Sequence, residues 1–143
     1  MANETSVTTP SDLEIRVERV FDAPRDHVFS VYTDPELIPE WWGDTTVVEE
    51  LDVRPGGAWR FRTPYGVVEG EFHEVDPPQR IVQTFQNHVQ TLEFEDLGEQ
   101  TKLVQTMRFE STVDRDTTMN YGVEQGAKSG FLRIDEVLAK LAR

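Results

Sequence analysis

Residues 101–143, TKLVQTMRFESTVDRDTTMNYGVEQGAKSGFLRIDEVLAKLAR, contain the change of hydrophobic period that decides the fold. Up to Phe109, apolar residues such as Leu103 and Met107 alternate with polar ones, which is typical of a half-buried strand. From Asp114 onward, apolar residues recur every three or four positions, which predicts one long helix of roughly seven to eight turns. The apolar face of that helix consists of Met119, Val123, Ala127, Phe131, Ile134, Leu138 and Leu141.

Short alternating segments separated by turn residues precede this strand, and they indicate an antiparallel meander. The predicted strands are 13–21, 45–51, 58–63, 67–75, 81–86, 90–96 and 101–109. Two short helices are expected after the first strand, one beginning near Pro24 and one at Glu36. A sheet with one apolar face must cover that face, and only the C-terminal helix is large enough to do so. The sequence therefore predicts an α+β fold in which a curved antiparallel sheet of about six to seven strands wraps around that helix.

The length of 143 residues suits one domain. Residues 1–12 offer almost nothing to bury, so we expect a flexible N-terminal tail followed by a single domain over 13–143. The absence of cysteine excludes a disulfide framework, a cysteine nucleophile and thiolate metal sites.

The formal net charge is −13, and only three of the 14 basic residues are lysines. An acidic surface repels phosphate groups, so binding to nucleic acid or to an anionic membrane is not expected. No apolar run is long enough to cross a bilayer and no secretory signal is visible, so a cytoplasmic protein is predicted. The acidity fits either ordinary solubility charge or adaptation to a high-salt cytoplasm.

A series of short motifs resembles a known family over the region from about Leu13 to the C-terminus. The motifs are Val20-Phe21-Asp22-Ala23-Pro24, Thr33-Asp34-Pro35-Glu36, Trp41-Trp42-Gly43, Asp52-Val53-Arg54-Pro55-Gly56-Gly57-Ala58-Trp59, Pro77-Pro78-Gln79-Arg80-Ile81-Val82 and Gly122-Val123-Glu124-Gln125-Gly126. Together they resemble proteins related to the C-terminal domain of the activator of the heat-shock-protein-ninety ATPase. These proteins belong to the START-like, or SRPBCC, helix-grip superfamily.

The resemblance implies the same helix-grip fold and an apolar cavity between the sheet and the C-terminal helix. It leaves function open, because this superfamily includes ligand carriers, cochaperone domains and enzymes. At one position the chain departs from the family, which usually has Trp after Gly126, whereas this chain has Ala127. A larger cavity is expected here if Ala127 faces inward, unless Phe131 or Trp59 fills the space.

The preferred function is the binding of a small apolar or amphipathic molecule in that cavity. The candidate ligand-binding residues are Trp42, Trp59, Phe61, Phe72, Phe85, Phe94, Met107, Tyr121, Val123, Ala127 and Phe131. Each of them could instead simply fill the core. Gln83, Gln105 and Tyr121 are polar residues on the same faces, and a ligand could supply their hydrogen-bond partners.

Glycine recurs every fourth residue on the predicted helix, at Gly122, Gly126 and Gly130. Each glycine costs a helix about 1 kcal/mol relative to alanine, so the spacing requires a reason. Close approach to the sheet would supply one, and room for a ligand would supply another.

No catalytic residue, metal site or cofactor is predicted. His27, His73 and His88 are not spaced to share a metal, and all three are expected to face water. Two alternatives to ligand binding stay open. One is a chaperone-interaction module, and the other is a cyclase- or dehydratase-like enzyme that uses a cavity carboxylate or Tyr121. Either a monomer or a homodimer is compatible with the sequence.

Overall fold

The structure is a computed structural model that describes residues 3–43 and 45–142. Met1, Ala2, Asp44 and Arg143 lie outside the described residues, and with them the first two positions of the predicted tail and the last of the predicted domain. Within the described residues, no helix combines the length and apolar character that crossing a bilayer requires.

Eight strands and four helices form within the described residues. In chain order they are β1 (Ser6–Thr8), β2 (Glu14–Phe21), α1 (Arg25–Thr33), α2 (Ile38–Trp42), β3 (Val47–Leu51), β4 (Ala58–Thr63), β5 (Gly66–Asp76), β6 (Arg80–Phe85), β7 (His88–Asp96), β8 (Thr101–Phe109), α3 (Thr112–Asn120) and α4 (Val123–Leu141). The strands form one antiparallel sheet in the order β1-β2-β8-β7-β6-β5-β4-β3. This is the α+β helix-grip fold that the sequence predicts, with a curved sheet and a C-terminal helix.

The apolar face of the sheet follows directly from the period-two pattern. In β2, Ile15, Val17 and Phe21 are buried together with Arg19, whereas the four alternate residues are partly exposed. Opposite Ile15 on β8 lies Met107, and Val17 lies opposite Gln105, so the inner rows of neighbouring strands are in register. The buried rows of β2, β7 and β8 pack against the helices and form the core.

The strand count is slightly higher than predicted. The additional strand is β1, which pairs Val7 with Val17 at the edge of the sheet. The expected tail over 1–12 therefore contains a paired strand. β1 is only three residues long, and so short a strand leaves almost no periodic signal in the sequence.

The predicted C-terminal helix is confirmed, but its predicted continuity from Asp114 is wrong, because a break divides this region into α3 and α4. Gly122 lies between them with a positive φ of 86°, which a residue with a side chain rarely adopts. Helix α3 begins after Ser111, whose side chain accepts a hydrogen bond from the backbone amide of Asp114 at 3.1 Å. None of the residues in α3 is buried, so the helix that covers the sheet is α4.

Candidate functional site

A cavity of about 290 Å³ lies between the inner face of the sheet and the helices α2 and α4. Its lining is mainly apolar and aromatic. The residues that form its wall are Val17, Tyr32, Ile38, Trp41, Trp42, Leu51, Trp59, Phe61, Phe72, Gln83, Phe85, Gln90, Gln105, Val123, Gly126, Ala127, Gly130 and Phe131. A concave apolar site with a few polar groups is the usual form of a small-molecule site.

The aromatic side of the cavity is one connected cluster. The ring of Trp42 lies edge-on to Phe61, with ring centroids 5.2 Å apart, and is stacked on Phe85 at 6.1 Å. Trp59 contacts the same two rings at 5.1 Å and 5.0 Å. These contacts join α2 to β4 and β6, so the wall is held by elements far apart in the sequence.

Trp41 and Trp42 have different roles in the same wall. The indole N–H of Trp41 donates a hydrogen bond to the Val31 carbonyl at 2.9 Å, which ties α2 to α1. Its ring also packs edge-on against Tyr32 at 5.1 Å. Trp41 thus anchors the helical side, whereas Trp42 closes the aromatic cluster.

The helical side of the cavity is formed by the first half of α4 and is loosely packed. A Cβ atom placed on Gly126 would meet no atom within 4 Å, and one on Gly130 would lie 4.0 Å from Cε3 of Trp41. Alanine would therefore fit at both positions and would favour the helix. Close approach of α4 to the sheet therefore does not explain these two glycines. They leave space over the cavity instead.

The floor of the cavity carries three glutamines from adjacent strands. Gln83 on β6 pairs with Gln90 on β7, and Gln105 lies on β8. The Nε2 atom of Gln105 donates a hydrogen bond to Oε1 of Gln90 at 3.0 Å. We call these three side chains the amide row. It provides neutral donors and acceptors beneath an apolar space.

No Asp, Glu, Lys, Arg or His belongs to the cavity wall in the part of the chain that is described. The only titratable side chain there is Tyr32, and burial raises the pKa of its phenol, so it stays protonated. The buried guanidinium of Arg19 lies behind Phe131 and is already paired with Asp135 through two hydrogen bonds of 2.6 Å. The cavity is therefore uncharged at any ordinary pH.

Eight of the eleven predicted site residues lie in the cavity wall. They are Trp42, Trp59, Phe61, Phe72, Phe85, Val123, Ala127 and Phe131. Whether they bind a ligand stays a prediction. Gln83 and Gln105, which were expected to turn inward, lie there as well.

The other three predicted site residues lie elsewhere. Phe94 packs beneath α1, with its ring 5.3 Å from that of Phe29. Met107 is buried in the core, in the row between Ile15 and Gln90. Tyr121 is 88% exposed, because it caps the end of α3 where the predicted continuous helix is broken.

Sequence reasoning missed several residues of the wall. Gln90 has the same parity as Leu92 and Phe94 on β7, so the period of two places all three on the inner face. Tyr32 and Trp41 carried no comparable signal, because their positions depend on how α1 and α2 pack together. The enzyme alternative names a cavity carboxylate or Tyr121 as its acid or base. Among the described residues, no carboxylate lines the cavity, and Tyr121 is on the surface.

The prediction that His88 faces water is wrong, because its ring packs between two phenylalanines. Its ring is stacked 5.3 Å from Phe85 and lies 4.9 Å from Phe109, and its Nε2 atom is buried without a partner among the described residues. Burial lowers the pKa of this imidazole to about 4, so it is neutral near pH 7. No cluster of three or more possible metal ligands occurs within residues 3–43 and 45–142.

Comparison with protein families gives one match. A family model described as Activator of Hsp90 ATPase homolog 1-like protein matches residues 22–139. Among proteins with curated functions, no relative matches the sequence.

Solved structures with the same fold cover between 74% and 98% of this chain. A crystal structure from Rhodobacter sphaeroides has a TM-score of 0.86 at 20% identity and covers 96% of this chain and 99% of its own. Protein Ms6760 from Mycobacterium smegmatis has a TM-score of 0.83 at 22% identity, covering 98% and 99%. An HSP90 activator from Plasmodium falciparum has a TM-score of 0.61 at 21% identity, covering 74% and 86%. At these identities the likeness establishes the fold alone.

Proposed function

The chain belongs to the Activator of Hsp90 ATPase homolog 1-like family, and from this premise we propose that it binds a small apolar or amphipathic molecule. The observation that carries the proposal is the uncharged cavity between the sheet and the first half of α4. Cores are normally packed to the density of organic crystals, and voids larger than a water molecule are few. A space of about 290 Å³ at that position is therefore suited to an occupant.

The size of the cavity limits the occupant. A volume of about 290 Å³ lies at the lower end of the roughly 300–1,000 Å³ of small-molecule sites, so the occupant is small. A larger ligand would have to extend past α4, where Gly126 is exposed and nothing lies within 4 Å of its Cβ position. The aromatic cluster favours an apolar body, since burial of apolar surface contributes about 25 cal/mol per Å².

Titration with the neutral apolar fluorophore N-phenyl-1-naphthylamine tests the proposal. Its emission is expected to rise on entering the cavity and to saturate at one molecule per chain. The variant Ala127→Trp places a large ring in the cavity wall, and it is expected to weaken binding at least tenfold because the added ring occupies the site.

The matched control is Ala139→Trp, the same change at an exposed position farther along α4. This control is expected to bind the fluorophore as well as the unmodified protein does. Equal binding by both variants would contradict a site in the cavity, and no saturable binding by the unmodified protein would contradict the proposal itself. Native mass spectrometry of protein purified without detergent would then identify a natural occupant.

A second candidate function is interaction with a chaperone, which the family description favours. The acidic chain, with a net charge of −13, would suit a basic surface on the partner. The test is to add the purified protein to a purified Hsp90-type ATPase at low salt. A saturable, salt-sensitive rise in ATP hydrolysis is expected, and an unchanged rate would rule the candidate out.

A further inference from the structure

The polar groups on the cavity floor and the absence of charged groups from the described wall indicate which class of ligand fits the site. The inference about this class rests on the proposed function. We propose that the occupant is an uncharged amphiphile whose hydroxyl, carbonyl or amide group hydrogen-bonds to the amide row of Gln83, Gln90 and Gln105. Carboxylates and other ions are excluded from the site.

The amide row has unused hydrogen-bonding capacity. Each glutamine side chain offers two N–H donors and an oxygen with two lone pairs. Only the bond from Gln105 to Gln90 joins the row internally, and Gln83 has no side-chain partner within residues 3–43 and 45–142. Gln90 is 8% exposed and already accepts the bond from Gln105, whereas Gln83 and Gln105 are half-buried and border the open space of the cavity. A ligand group in the cavity could therefore hydrogen-bond to the amides of Gln83 and Gln105.

The row is placed opposite the apolar part of the cavity. Gln83 lies between Phe72 on β5 and Gln90 on β7, so aromatic wall and amide floor meet on adjacent strands. Across the space, the first half of α4 contributes only Val123, Gly126, Ala127 and Gly130, and Phe131 borders the cavity where the second half begins. A ligand would therefore be held with its polar group on the sheet and its apolar body against the rings and α4.

The exclusion of ions follows from what the wall lacks. Burying an unpaired carboxylate or ammonium is far more costly than burying a neutral hydrogen-bonded group. No side chain of the described wall could neutralise such an ion, since Tyr32 stays protonated and the remaining polar groups are amides and indoles. Arg19 is unavailable because Asp135 occupies both arms of its guanidinium. Fatty acids are therefore expected to bind only in their protonated form.

A matched pair of eight-carbon ligands tests the inference, with octan-1-ol and sodium octanoate each displacing N-phenyl-1-naphthylamine. A simple carboxylic acid has a pKa of about 4 to 5, so at pH 7.5 less than about 1% of octanoate is protonated. Octanol is expected to bind at least a hundredfold more tightly at that pH. The ratio should fall about tenfold for each pH unit down to pH 5.5, because only the acid changes its protonation. His88 stays neutral over this range.

The amide row is tested by Gln105→Leu, which keeps the size of the side chain and removes its hydrogen bonds. Octanol affinity is expected to fall about tenfold, the usual effect of one lost hydrogen bond to a ligand. The affinity of the fluorophore should change less than threefold, because an apolar ring system is expected to bind against the aromatic wall without needing the amide. Gln83→Leu is the second variant, and Gln125→Leu, at an exposed position on α4, is the control that should change nothing.

The outcomes separate the two proposals. Octanoate binding as tightly as octanol at pH 7.5 would overturn the inference and leave ligand binding in place. Unchanged octanol affinity in both Gln105→Leu and Gln83→Leu would overturn the role of the amide row. Failure of octanol and of the fluorophore alike would overturn the proposed function and, with it, the inference.

Discussion

The two halves of α4 face the same sheet but pack against it differently. In the second half, Phe131, Ile134, Val137 and Leu138 are all buried, and Asp135 is paired with the buried Arg19. In the first half, Val123 and Ala127 are only partly buried and Gly126 is exposed. One helix thus seals the core at one end and forms the roof of a cavity at the other.

This difference indicates which part of the helix supplies stability. The buried side chains of the second half continue the core formed by β2 and α1, with the ring of Phe131 edge-on to Phe21 at 5.3 Å. The first half contributes small residues and space over the cavity. We therefore expect changes in the second half to affect folding and changes in the first half to affect binding.

The largest expected effect is on stability, in the comparison of Ile134→Ala with Val123→Ala. Ile134 is completely buried, so its truncation is expected to cost about 3 kcal/mol, by lost burial and by the cavity left behind. Truncation of the half-buried Val123 should cost less than about 1 kcal/mol. Urea denaturation of both variants measures this. Similar costs would show that the two halves of α4 are packed alike.

The second prediction concerns how far water is excluded from His88, which packs against Phe85 of the cavity wall. The pH dependence of stability measures this exclusion. The pKa of this imidazole is about 4 in the fold and about 6.5 when unfolded, so the unfolded chain binds its proton first. The stability contributed by neutral His88 is fully present above pH 6.5 and is lost as pH falls toward 4. Allowing for partial exposure, the loss is about 2 kcal/mol.

The variant His88→Phe isolates this contribution, because phenylalanine keeps the contacts with Phe85 and Phe109 and does not titrate. Its free energy of unfolding should fall less steeply than that of the unmodified protein between pH 6.5 and pH 4. If the free energies of unfolding of the two proteins depended on pH in the same way, water would have to reach the His88 side chain in the folded state.

The third prediction compares Gly126, in the helical wall of the cavity, with Gly70, which lies outside the wall and packs against Trp59 and Thr84. Gly126→Ala is expected to raise the free energy of unfolding by up to about 1 kcal/mol, since the new methyl group meets only space. Gly70→Ala should lower it instead. A Cβ atom on Gly70 would lie 2.8 Å from Nε1 of the Trp59 indole and would overlap the carbonyl oxygen of Thr84.

Thermal or urea unfolding of both glycine variants decides the matter. Destabilisation by Gly126→Ala would show that the first half of α4 lies closer to its surroundings than the structure indicates. The expected signs are opposite, so a common experimental error cannot produce both.

Period and spacing predict the sheet, the covering helix and most of the cavity wall, because a half-buried strand and an amphipathic helix each leave a regular apolar pattern. The break at Gly122 escapes this reasoning, since Met119 and Val123 keep helical spacing across it. Tyr121 was placed inside for the same reason. A backbone turn of one residue changes where a side chain points without changing the pattern of apolar residues.

Other parts of the site depend on contacts that no local pattern records. The bond from Trp41 to Val31 fixes α2 against α1, and only this packing brings Tyr32 to the wall. The burial of His88 likewise depends on Phe85 and Phe109, which come from two other strands. Such features follow from the assembled fold and were not accessible from the periodicity of single elements.

Ligand binding between the first half of α4 and the amide row is tested most directly by an NMR titration of the ¹⁵N-labelled protein with octan-1-ol. We expect saturable shifts in the backbone amides of residues 123–130 and in the side-chain amides of Gln83, Gln90 and Gln105. The amides of 134–141 should stay nearly unchanged. Shifts confined to the second half of α4 or to the outer face of the sheet, or no shifts at all, would contradict binding at this site.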